Sequence, residues 1–241
     1  MTTQATTAPR RRQAQGGPHL GVLGIVFAAL FLVGLVLATI MAGGKPYPSP
    51  FGDTADIVAY FRDHRHAVQI GGAFQFGAAI PLAIYSATVS ARLHQLGIRA
   101  PGATIALAGG LLSSAFLALS GLIGWVLSRP EVLDEPSLIR ALQLLNFAAG
   151  GVAHVVPLGL LLAGIAVPGL LARLLPSWLA WAGLVIAGIA ELSTLTLLAE
   201  PAAYLLPVAR FTGLAWLIAV GFMLPRQRAR ADVREPGSPV D

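Results

Sequence analysis

SWLAWAGLVIAGIAELSTLTLLAEPAAYLLPVARFTGLAWLIAVGFML, residues 177–224, reads as two apolar helices, Ser177–Ala199 and Ala202–Leu224, joined at Glu200-Pro201. Each matches the roughly 20 residues that a helix needs to cross a hydrocarbon core. Each also carries one full charge deep inside it, Glu191 in the first and Arg210 in the second. A charge at that depth costs about 2.5–3.5 kcal/mol on insertion scales. Both charges lie eight residues from the shared turn, counted from Ala199 and from Ala202. At the helical rise this puts both about 12 Å below the same surface. Antiparallel neighbours then bring them level, and an ion pair between Glu191 and Arg210 is the expectation.

Composition makes the same argument for the whole chain. Of 241 residues, 56% are hydrophobic and only 11% charged, with a mean hydropathy of +0.74. A soluble domain has about 25% charged residues. Half that share leaves too little polar surface to cover a water-soluble globule, so the expected class is a polytopic membrane protein. The net charge of +5 sits in tails and short loops, where arginines orient helices and do not form a nucleic-acid patch. The chain has no cysteine, which excludes disulfides, thiolate catalysis and thiolate metal centres. No cofactor is expected.

Outward from the quoted stretch, the chain divides at its prolines, glycines and charges. Residues 1–19 form a polar tail, expected to be disordered and cytoplasmic, with Arg10-Arg11-Arg12 before the first span. The apolar run from Leu20 to Gly43 is too long for a signal-peptide core. Six spans follow, at about 20–43, 67–93, 103–128, 145–171, 177–199 and 202–224. Residues 55–66 read as an amphipathic interfacial helix capped by Asp53 or Thr54. The segment 137–173 is too long for one untilted span, so its first turns are expected to project outward. Residues 225–241 make a basic tail. Ten cations fall on the side of the termini and four on the other, which by the positive-inside rule places both termini in the cytoplasm. The expected fold is therefore an all-α bundle of six transmembrane helices, packed through Gly, Ala and Ser.

The same depth count adds three residues to the charged pair. Gln75, Ser120 and His154 also fall eight or nine residues from the outer ends of their spans. Glu191, Arg210, His154, Gln75 and Ser120 thus form one predicted polar layer in the outer half of the membrane. It has two readings. As a lock, it fixes helix register and satisfies backbone groups freed near Pro157 and Pro207. As a pocket open to the outside, it binds a small ligand or passes a proton. Gly71-Gly72 with Gln75, and Gly150-Gly151 with His154, form a faint internal echo of the kind transporter repeats leave. No metal site is expected. His64 and His66 are poorly spaced on one helix face, and His154 has no histidine partner at its depth. Nor is a catalytic residue assigned: Ser120-Gly121 with His154 lacks the rhomboid Gly-x-Ser-Gly pattern, because Ala118 stands at its glycine.

The runs Leu174–Leu184, Ala190–Leu195, Leu206-Pro207, Arg210-Phe211 and Leu214–Ile218, with Pro48–Phe51 and Phe74–Gly77, carry a resemblance. Together they resemble a domain-of-unknown-function family of small six-helix bacterial integral membrane proteins, over nearly the whole chain outside the tails. The resemblance implies the topology and a bacterial plasma membrane, and no activity. Three functions are compatible with the sequence. The first is a small-solute transporter-like or ligand-sensing module with an outward polar pocket. The second is a structural or interaction subunit, in a homo-oligomer or with a membrane partner, whose polar layer is only a lock. The third, ranked last for want of a paired-acid or metal motif, is a membrane enzyme acting on lipid or isoprenoid.

Overall fold

Local chemistry sets where the helices begin and stop. In the computed structural model, which describes residues 17–227, all regular structure among those residues is helical. His19 opens α1 (Leu20–Met41), its Nδ1 accepting the Gly21 N–H at 3.1 Å. Gly43 and Gly44 then turn the chain out of the helix with φ of +66° and +84°, a region glycine enters without a steric penalty. Asp53 caps α2 (Thr54–Asp63), accepting the Ala55 N–H at 2.7 Å. α3 (Arg65–Gln95) and α4 (Gly102–Leu127) follow as one long hairpin. Prolines at the first helical position start the short α5 (Pro130–Leu133) and α6 (Pro136–Gly150). α7 (Val152–Leu171), α8 (Ser177–Leu192) and α9 (Leu205–Met223) complete the chain.

Six segments are long and apolar enough to cross a membrane: Leu20–Met41, Arg65–Gln95, Gly102–Leu127, Pro136–Leu171, Ser177–Leu197 and Glu200–Met223. Their detail differs from the sequence reading in two places. The fourth, expected as a span from about Leu145 after outward first turns, is helical from Pro136 and breaks once, at Gly151. The regular part of α8 stops at Leu192, not Ala199, and the chain continues as 3₁₀ turns over Ser193–Leu197 and Glu200–Tyr204. At that point Ser193 Oγ donates to the Ala190 carbonyl at 2.6 Å, a local bond that competes with the helical ladder. Residues 1–16 and 228–241, most of the two expected tails, lie outside the described residues.

The helices close into a ring, α1–α3–α4–α7–α8–α9 and back to α1, each packed on the next. Glycine lets backbones meet. A Cβ on Gly164 of α7 would lie 2.5 Å from the Ala106 nitrogen of α4. One on Gly221 of α9 would lie 2.6 Å from the Gly21 nitrogen of α1. The half of the ring nearer the termini is solid. Phe27, Leu82, Tyr85, Leu161, Leu162 and Leu217 fill it, each at most 1% exposed. Tyr85 spans it, donating from its hydroxyl to the Leu217 carbonyl at 2.9 Å.

At the other end the ring comes apart on one side. α1 leans on α3, where Phe74 presses on Gly34 and a Cβ on Gly71 would meet Ala38 at 3.3 Å. α9 leans the other way, with Leu206 against Gly151 at the α6–α7 break. α1 and α9 start in contact at Gly21 and Gly221 and still meet at Phe31, whose ring lies 6.3 Å from that of Phe211 and 5.4 Å from Arg210 Cζ. Beyond that point the space between them is hollow. α2 and α5 pack on the ends of α4 and α6 through Ile57, Phe61, Val132 and Ile139 and cap this end of the bundle.

Candidate functional site

The hollow is a cavity of about 320 Å³. Its walls come from α1, α3, α4, α6 and α9, and its roof is the strap between α1 and α2, through Tyr47, Pro48 and Pro50. The strap's prolines have no N–H to donate but keep their carbonyls as acceptors. α6 holds it by those carbonyls: Arg140 donates to Pro50 O at 3.1 Å and Gln143 to Pro48 O at 3.2 Å. Arg140 also donates to Gln143 Oε1 at 2.7 Å, so the two side chains support each other.

Inside runs a directed chain of hydrogen bonds. Gln75 Nε2 donates to Ser120 Oγ at 3.0 Å, and Ser120 donates to the side-chain carbonyl of Asn146. Asn146 Nδ2 then donates to the Tyr47 hydroxyl at 3.2 Å. Every member of the chain donates to the next, so the Tyr47 O–H at its end is left to donate elsewhere. Burial of that hydroxyl, with Tyr60 beside it, pushes the Tyr47 phenol above the usual tyrosine range and keeps it protonated.

Arg210 supplies the charge. It reaches the cavity from α9 and donates through Nη2 to the Gly150 carbonyl, which the break at Gly151 frees from the helical ladder. Its carbon Cζ sits 5.4 Å from the Phe31 ring centre. Its Nε is buried without a partner. The lining contains no carboxylate. The break contributes two half-charges, negative at the end of α6 and positive at the start of α7, which are adjacent and oppose each other. The guanidinium therefore stands as a net positive charge at the cavity wall.

Of the five residues predicted to share a layer, the cavity brings together three: Gln75, Ser120 and Arg210. Glu191 and His154 are not among its lining residues. Nor is there an ion pair between Glu191 and Arg210 among the described residues. Glu191 is exposed on α8, with its carboxylate 3.2 Å from where a Cβ on Gly159 of α7 would be. Equal depth leaves direction open, since each residue turns a helix by about 100°. α9 turns Gly213 to α7 and Trp216 to α8, where Trp216 Nε1 donates to the Leu179 carbonyl at 2.7 Å. Arg210 is off that line and faces α6. His154 is fully buried between α7 and α4, its Nδ1 3.0 Å from the Ser113 carbonyl and 2.8 Å from Ser113 Oγ. A carbonyl only accepts, so Nδ1 carries the proton. Ser120 and His154 are thus in separate networks.

Sequence reasoning missed Asn146, Gln143, Arg140 and Tyr47. The signal was there for the first three: a polar stripe spaced three residues apart, opening the over-long fourth segment. Comparison with known protein families, curated proteins and solved structures finds no match to this chain.

Proposed function

We propose that this is a multi-pass protein of a bacterial plasma membrane, with both termini in the cytoplasm, that binds a small ligand in a pocket in the outer half of the bilayer. The observation that carries the reading is the cavity itself. It lies in the range typical of small-molecule sites, is mostly apolar, and has a few converging polar groups. A discontinuous helix at the site, broken at Gly151, is the device by which transporter helices offer backbone groups to a substrate. The function class is a small-solute transporter-like or ligand-sensing module.

The lock remains the second reading, and one observation favours it. The chain from Gln75 through Ser120 and Asn146 to Tyr47 ties α3, α4, α6 and the strap together. A lock needs no vacant space, whereas a pocket does. Ala38→Trp fills the cavity from α1 and separates the two. Thermal-shift screening of a small-molecule collection should find compounds that stabilise the native protein and not the filled variant. If no compound stabilises the native protein and Ala38→Trp raises its melting temperature, the lock is the correct reading.

A further inference from the structure

Among the described residues the cavity lining has one cation and no acid, and exposure marks its mouth. Residues that both line it and stay exposed mark the opening: Leu35 on α1, Tyr47 on the strap and Pro207 on α9. They lie on the side where α1 and α9 part. The floor of that opening is the Phe31–Phe211 contact, with Arg210 against Phe31. Around it the exteriors of α1 and α9 expose apolar side chains, with Val36, Ile40, Val208 and Phe222 each at least 47% exposed. The mouth is thus set in a surface suited to lipid tails, not to water.

We propose that the cavity takes a single-chain organic monoanion from the lipid phase, entering between α1 and α9, with its charged group on Arg210 and its apolar chain along Leu35 and Ala38 towards the mouth. This deepens the pocket reading above and rests on it. Four observations support it. Arg210 has five N–H donors, one bonded to Gly150 and the buried Nε bonded to nothing, which leaves the fork open to a carboxylate or phosphate ester. Among the described residues that is the lining's only full charge, which matches one negative charge and not two. The free Tyr47 O–H is a second donor to the same cavity. The apolar wall gives an inorganic anion nothing to pack against.

The absence of cysteine makes the test direct. Ala38→Cys puts one thiol on the cavity wall. The rate at which neutral methyl methanethiosulfonate modifies it is measured in zwitterionic nanodiscs, with acetate, inorganic phosphate, decanoate, decanamide or decyltrimethylammonium added. Decanoate should slow modification by about tenfold or more, the scale of a charge-assisted hydrogen bond, and the other four should not. Arg210→Gln should abolish the protection and Arg210→Lys should retain most of it; if the glutamine variant does not fold, the probe series on the native Arg210 background decides alone. Equal protection by decanamide or the ammonium overturns the match of charge, and equal protection by acetate or phosphate overturns the lipid-phase source. A reactive thiol that no probe protects overturns this inference and leaves the pocket standing. An unreactive thiol removes both.

Discussion

Gly150 is where the two halves of the cavity chemistry meet. Ser120 Oγ and Gln75 Nε2 press on the position its Cβ would take, the latter at 3.1 Å, while its carbonyl accepts from Arg210. A methyl there must displace Ser120 and with it the bond to Asn146. Gly150→Ala is expected to cost about 1–3 kcal/mol, the range for overpacking a filled site, read as a fall in melting temperature. Gly188 is the control, since a Cβ on it would have no neighbour within 4 Å. Gly188→Ala should be neutral or gain about 0.5–1 kcal/mol. Matching losses at the two positions would show that contact with Ser120 does not matter. A pH prediction belongs at this scale too. The titratable groups lining the cavity are Tyr47, Tyr60 and Arg210. Burial raises both phenols above their ordinary range, so they stay neutral, and a guanidinium stays charged. Decanoate protection should therefore be flat from about pH 6 to pH 9. A step near neutrality would show that the site's charge is not set by Arg210 alone.

At the scale of the elements, the α4–α7 crossing is a contact with little room to give. A Cβ on Gly109 would lie 2.6 Å from the Pro157 carbonyl, and one on Gly164 2.7 Å from the Gly102 carbonyl. These are backbone atoms, which cannot swing aside as a side chain can. Gly164→Leu should cost about 3 kcal/mol or more and lower the yield of monodisperse protein. Gly77→Leu on α3, with open space around it, should be tolerated; equal yields would mean that the two backbones can separate freely. The helices themselves were legible because hydropathy and length mark directly the segments long and apolar enough to cross a membrane. All six apolar segments could be read this way, and Gln75, Ser120 and Arg210 do line one cavity. What hydropathy does not encode is the direction each residue faces, because a helix apolar all round has no stripe to read. That is why equal depth pairs Glu191 with Arg210, and groups His154 with residues whose cavity it does not line. The break at Gly151 was hidden for a related reason. Gly71-Gly72 and Gly150-Gly151 look alike in sequence, and all four residues line the cavity, yet only the second pair interrupts its helix.

Across the whole molecule, the bundle is solid towards its first and last described helical turns and hollow at its capped end, so any motion that widens the mouth between α1 and α9 belongs at that end. The strap is the element best suited to move. It leaves α1 through Gly43 and Gly44, both at positive φ, and its roof residues are held by side chains of α6, not by a backbone ladder. Bonds of this kind contribute about 1 kcal/mol each. Breaking one should raise the open population about fivefold, and breaking two should raise it further. Arg140→Ala removes the bond to Pro50 and the support of Gln143; Gln143→Leu removes the bond to Pro48. Each is expected to speed modification of the Ala38→Cys thiol several-fold, and the double variant should exceed either. A cysteine at Ser49, on the strap itself, should label from outside intact cells, because the positive-inside count puts this end of the bundle there. If the α6 variants leave the Ala38→Cys rate unchanged while Ser49→Cys labels from outside, entry does not pass beneath the strap. The parting of α1 and α9 alone must then admit the ligand, and a bulky pair at Leu35 and Pro207 should close it.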